Sequence, residues 1–289
     1  MGKTADFESP VLRIEHDKNE GVATLWLDRA EARNAMGLDL WRDLPQAMDL
    51  LSDDPAVRVV VVAAQGPHFS VGLDLKAMGA MLTAGGDEAR DSGGSSRSSM
   101  AARARAARTN VLRLQDSITA VARCPKPVIA AVHGYCIGGG VDLIAACDIR
   151  LASADAIFSV REAKMAIVAD LGSLQRLPAI ISAGHLAELA YTAKDISAER
   201  AREIGLVNDV AADADGVHKA ALTLAAEIAA NSPIAVQGTK AVLAANEGRT
   251  VAEGLDYVAT WNAGMLASDD LTEAVTAFLE KRPAKFTGR

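Results

Sequence analysis

Two alternating apolar stretches, "VLRIEHDK" and "GVATLWLD", predict a pair of strands around a turn at residues 19–21. "LDLWRDLPQAMDLLSDDP" then repeats apolar residues at helical spacing and stops before Pro55. The run "VRVVVVAAQ", residues 57–65, does not alternate, as in a parallel strand buried on both faces. A glycine-rich loop, "GPHFSVGLDLKAM", leads into residues 79–99, where Gly, Ser, Ala and charge predict a flexible excursion. A helix over about 101–123, a second buried strand in "KPVIAAVHG", further strands in "DIRLASADAIFSV" and a helical pair in "GSLQRLPAIISAGHLAELAYTA" follow. Beyond Ala198 the remaining segments are Ala-rich and helical. Strand and helix alternate first and helices come last, which predicts an α/β protein with a core over 1–197 and a helical region over 198–289. Ala-rich amphipathic helices of that kind call for a partner surface, so self-association is expected.

Composition narrows the function classes. The net charge of -7 and sequence pI near 5.3 argue against a nucleic-acid surface, which relies on clustered Lys and Arg. The basic run between Arg97 and Arg108 reads as a solvated helix face, and RNA binding rests on it alone. No apolar run reaches the roughly 18 residues of a membrane span, and the N-terminus lacks the apolar core of a secretory signal. Cys124, Cys136 and Cys147 have no metal-ligand spacing, so reduced thiols, no metal and a cytoplasmic location are expected.

Two segments share a strand, a glycine turn and a helix: "VVVVAAQGPHFSVGLDL" and "KPVIAAVHGYCIGGGVDL". Glycine lets backbone approach a ligand closely, and the first amides of each helix are left without intrahelical partners. Two such turns could offer one N–H each to a single oxygen. Neither continues as a phosphate loop or dinucleotide fingerprint, and a Ser70–His133 triad has no supporting spacing. Asp142 sits among apolar residues after the second turn, and Glu162 and Asp170 follow. Each has a plain reading as well: Glu162 paired with Arg161 or Lys164, Asp170 as the cap of the next helix.

The order and spacing of "RNAM", "HFSVGLDL", "GYCIGGGVDLIAACDIR" and "GSLQRLP" resemble the crotonase (enoyl-CoA hydratase/isomerase) superfamily over nearly the whole chain. The resemblance implies a spiral of ββα turns, a helical C-terminal trimerisation region, homotrimers or hexamers, and an acyl-CoA thioester substrate. It implies an oxyanion hole from the amides of Leu73 and Gly139, and substrate contacts from Gly72, Asp74, Leu75, Lys76, Gly140 and Arg33. Hydratases of the superfamily carry Glu at the positions of Asp142 and Glu162 and lack an acid at Asp170. The triple Asp142, Glu162 and Asp170 is similar instead to dienoyl-CoA isomerases, implying conversion of 3,5-dienoyl-CoA to 2,4-dienoyl-CoA in fatty acid β-oxidation. Glu162 and Asp170 would be base and acid in an order the sequence leaves open, with Asp142 assisting. No cofactor is implied, coenzyme A being part of the substrate. Hydration of 2-enoyl-CoA is the alternative.

Overall fold

The computed structural model describes residues 7–17, 20–78 and 99–289. Apart from Ser99, the excursion expected at 79–99 lies outside the described residues. Nine strands appear among those described: β1 (Leu12–Asp17), β2 (Val22–Leu27), β3 (Val59–Ala64), β4 (Val128–Val132), β5 (Tyr135–Ile137), β6 (Ile149–Ser153), β7 (Ile157–Ser159), β8 (Ile196–Ser197) and β9 (Asp209–Ala211). The larger sheet runs β1-β2-β3-β4-β6-β9, parallel except for β1 against β2. The smaller runs β5-β7-β8. The chain winds as a spiral: β4 enters the large sheet, β5 the small one, and the Gly139–Ala145 helix closes the turn. β6 and β7 repeat the path, ending in the 3-10 turn Glu162–Met165. Earlier, Ser70 bridges Cys136 at the edge of the small sheet, which brings the two glycine turns side by side.

The unbroken apolar run of β3 is explained by burial on both faces. Val60, Val62 and Ala64 join the main core with Leu44, Met48 and Leu51 of the Leu38–Asp53 helix. Val59, Val61 and Ala63 face Val217, Ala221, Ala225 and Ala229 of the Ala214–Ala229 helix, whose small residues sit close to the sheet. The helical region expected from residue 198 therefore opens with elements tied to the sheet. β9 pairs with β6, and the helix after β9 covers the second face. Helices that lie outside both cores begin at Pro233.

These last helices are fastened by a buried carboxylate. Asp270 is 2% exposed; it accepts hydrogen bonds from Ser232 Oγ (2.6 Å), the Thr287 amide (2.7 Å) and the Gly288 amide (3.1 Å). Burial alone would raise its pKa, but the three donors outweigh burial and hold it below the usual carboxylate value. Asp270→Ala leaves those donors unpaired and is expected to lower unfolding free energy by about 2–3 kcal/mol in urea titrations at pH 7. Because the folded pKa is depressed, the wild-type contribution is present at neutral pH and fades as pH falls through the acid range.

Candidate active site

The first glycine turn is braced from behind. Asn34 is buried, accepts from the Arg29 amide and donates to the carbonyls of Gln65 and His68. Ser70 Oγ donates to the Asn34 carbonyl (2.8 Å) and accepts from the Gly72 amide (3.1 Å). The Ser70–His133 pair is no triad, since His133 Nε2 bonds the Gly66 carbonyl instead. The Met36 amide donates to the Gly72 carbonyl and the Asp74 amide to the Met36 carbonyl, which turns the Leu73 amide to the opposite side. Gly72 has φ +80°, and a Cβ there would stand 2.7 Å from the Ile137 carbonyl oxygen and 3.3 Å from the Gly139 nitrogen. The second turn thus lies directly against the first. Among the described residues, neither the Leu73 nor the Gly139 amide donates a hydrogen bond.

Beside these amides is a cavity of about 370 Å³ on which Asp142, Glu162 and Asp170 converge. Asp142 comes from the Gly139–Ala145 helix, is 1% exposed, and accepts the Ser173 amide at 2.6 Å. Burial pushes its pKa up to about 6, further raised by Asp170 and opposed by the Ser173 hydrogen bonds and Arg176. Glu162 opens the 3-10 turn after β7 with Oε1 next to Gly138: a Cβ on Gly138 would sit 3.1 Å from it. The pairing with Arg161 is not made, because Arg161 bridges Asp195; Glu162 Oε2 is buried without a partner among the described residues. Burial, then repulsion from Asp142 and Asp170, push Glu162 up to about 7. Asp170 is not a helix cap either. The N-cap of the Ser173–Arg176 helix is Gly172, and burial raises the pKa of Asp170.

Such a site is maintained at some expense to stability. A Glu162 whose folded pKa lies above its unfolded value stabilises the fold only while protonated, so stability declines as pH rises through about 7. Glu162→Gln is expected to be more stable than wild type by about 1–3 kcal/mol at pH 8 and nearly equal to it at pH 4, read from thermal unfolding.

The other residues singled out from the sequence separate into two groups. Gly72, Leu73, Leu75 and Gly139 line the cavity. Asp74, Lys76, Gly140 and Arg33 do not. The Asp74 carboxylate accepts from the amides of Ala77 and Lys76 and from Arg29 (2.7 Å), which hold its pKa low, so it caps the helical turn at 75–78. Gly140 is buried against Ser70 and Cys136. Lys76 and Arg33 are exposed outside the cavity, on the side chains' solvent face. Sequence reasoning missed the apolar wall: Trp41, Met78, Ala107, Val111, Leu114 and Ile167. Ala107, Val111 and Leu114 lie on one stripe of the Met100–Arg123 helix, a signal present in the helical spacing. Arg103, Arg105 and Arg108 on that helix are exposed, as expected of a solvated face. Among the described residues, no His/Cys/Asp/Glu group is arranged to hold a metal ion, and no helix is long and apolar enough to cross a membrane.

Comparison with known proteins agrees with this geometry. The family model for enoyl-CoA hydratase/isomerase matches residues 17–96 and 78–289. The peroxisomal Δ(3,5)-Δ(2,4)-dienoyl-CoA isomerase of Arabidopsis thaliana is 43% identical over 276 residues, 94% of this chain and 95% of that protein. The mitochondrial enzyme of the same name from Homo sapiens is 41% identical over 288 residues, 99% of this chain and 84% of that protein. The crystal structure of an enoyl-CoA hydratase from Bacillus anthracis superposes with a TM-score of 0.84 at 29% identity, covering 96% of this chain and 100% of that one. The expectation of a cytoplasmic protein is corrected by these relatives, which are named for the peroxisome and the mitochondrion. It rested on cysteines read as reduced thiols and on the lack of a secretory apolar core, and neither feature separates the cytoplasm from those two compartments. The fold, the paired glycine turns and these similarities agree: the chain belongs to the enoyl-CoA hydratase/isomerase family.

Proposed function

We propose that the cavity isomerises 3,5-dienoyl-CoA to 2,4-dienoyl-CoA by moving a proton from C2 to C6. The observation that carries this is the convergence of three carboxyl groups, none in an ion pair among the described residues, beside two unpaired amides. The amides of Leu73 and Gly139 act as the oxyanion hole, and Gly72 provides the room. Glu162 stands next to Gly138, so it faces C2, one bond from the carbonyl carbon, and serves as base. As the C2–H bond breaks, its electrons delocalise onto the thioester oxygen and along the diene. Asp170 then gives its proton to C6; the carbonyl re-forms, and double bonds settle at C2–C3 and C4–C5. The cycle leaves Glu162 protonated and Asp170 ionised until exchange with solvent resets them. A pKa of about 7 suits Glu162 to act as a base near neutral pH, and burial shifts Asp170 toward the protonated form that an acid needs. Asp142 raises the pKa of Glu162 by like-charge repulsion and anchors Ser173.

Coenzyme A enters as part of the substrate, with Arg33 and Lys76 as contacts for its phosphates, and no cofactor or metal takes part in the proposed steps. The exposed Leu243, Val251, Leu255, Leu271 and Phe278 of the last helices support assembly as a homotrimer or a hexamer of paired trimers. Turnover tests the reading: 3,5-octadienoyl-CoA should yield the ultraviolet band of a 2,4-dienoyl thioester much faster than crotonyl-CoA is hydrated. Fast hydration without diene conjugation would make the protein a hydratase.

A further inference from the structure

We propose that Arg176, Thr119 and Gln115 form a clamp that positions Asp170 in register with the acyl chain, an inference resting on the isomerase reading above. The Met100–Arg123 helix has two roles. Through Ala107, Val111 and Leu114 it forms the apolar wall of the catalytic cavity. Further along, it grips the backbone that carries Asp170. Gln115 Nε2 donates to the Asp170 carbonyl at 2.6 Å. The Arg176 guanidinium bridges Thr119 Oγ1 (3.0 Å) and the Leu171 carbonyl (3.3 Å). From the other side, Asp142 holds the Ser173 amide at 2.6 Å. Residues 170 and 173 are therefore tied directly to the two helices that flank them, and Leu171 is tied to the Met100–Arg123 helix through Arg176. Gly172 permits this: its φ is +128°, and a Cβ there would collide with the guanidinium.

Gln115, Thr119 and Arg176 do not line the cavity that holds the three carboxyl groups. They line a second cavity of about 1260 Å³ behind the 170–172 segment, and Leu171 belongs to both walls. Their influence on the reaction must pass through the backbone of that segment. Burial lowers the pKa of Arg176, and its guanidinium makes no ion pair among the described residues. A half-buried cation is thus held by a hydroxyl and a carbonyl, and the backbone it fixes is next to the acid. Wall and clamp share one helix, so a shift of the helix moves the acyl chain and Asp170 together. Misplacing a catalytic group by about 1 Å can lower the rate roughly 100-fold.

The test uses the full chain and 3,5-octadienoyl-CoA, with Arg176→Gln, Thr119→Val and Thr119→Ser made in wild-type and Asp170→Asn backgrounds, and melting curves to show that each is folded. Arg176→Gln and Thr119→Val are expected to lower kcat about 10- to 100-fold with KM within about twofold, whereas Thr119→Ser, which keeps the hydroxyl, retains activity. In the Asp170→Asn background the same substitutions should cost no further turnover, because their effect acts through that carboxyl. The clamp is overturned if Asp170→Asn loses activity while Thr119→Val keeps it, or if the losses multiply in the double variants. Wild-type activity in Asp170→Asn alone would instead remove the underlying isomerase reading, and the clamp with it.

Discussion

Asp170→Asn is expected to lower formation of the 2,4-diene about 10²- to 10⁴-fold while leaving exchange of the C2 hydrogens with solvent deuterium intact. In the proposed mechanism Glu162, beside Gly138 and the two amides, would still remove the C2 proton, and the amide pair would still hold the dienolate. What is lost is the acid at the far end of the diene, and a positioned acid contributes about 10²- to 10⁴-fold in rate. Glu162→Gln should lose both exchange and isomerisation. Proton NMR of 3,5-octadienoyl-CoA in D2O follows both at once. Loss of C2 exchange in Asp170→Asn, with exchange retained in Glu162→Gln, would reverse the two roles. In wild type, kcat/KM should climb as pH rises through about 7, because the base works as the carboxylate and burial has raised its pKa to that value.

Gly72→Ala is expected to lower kcat by about 10²- to 10³-fold, the usual consequence of losing an oxyanion donor. The added methyl group would stand 2.7 Å from the Ile137 carbonyl and 3.3 Å from the Gly139 nitrogen, at a φ of +80° that L-residues rarely adopt. Relief requires the two turns to move apart, and the amides can then no longer meet one oxygen. Exposed Arg33 and Lys76 are untouched, so affinity for coenzyme A itself should change little by calorimetry. An equal loss of coenzyme A affinity and turnover would mean that the substitution damages the fold rather than the amide pair.

Much of this was readable in the chain. The apolar run of β3 marked a strand buried on both faces, and the glycine turns marked unpaired amides, because both follow from local backbone chemistry. Asp142, Glu162 and Asp170 were visible as acids among apolar residues, but single residues could not exclude a surface pair or a helix cap. Only the fold shows Arg161 engaged by Asp195 and Gly172 taking the cap position. β9 was hidden because Asp209–Ala211 is short and is a strand only through pairing with β6. The position of the Asp74 side chain was not legible either: its neighbours in sequence line the cavity, whereas its carboxylate turns back to Arg29. The clamp was equally illegible, since Gln115 and Thr119 on one helix meet Asp170 and Arg176 from more than 50 residues further along the chain.

Where the proton returns is the most direct test of two carboxyls working at opposite ends of the diene. Wild-type enzyme should convert 3,5-octadienoyl-CoA in D2O to a 2,4-dienoyl product carrying deuterium at C6. Deuterium at C4 in a 2,5-dienoyl product, or a hydroxyl added at C3, would contradict it.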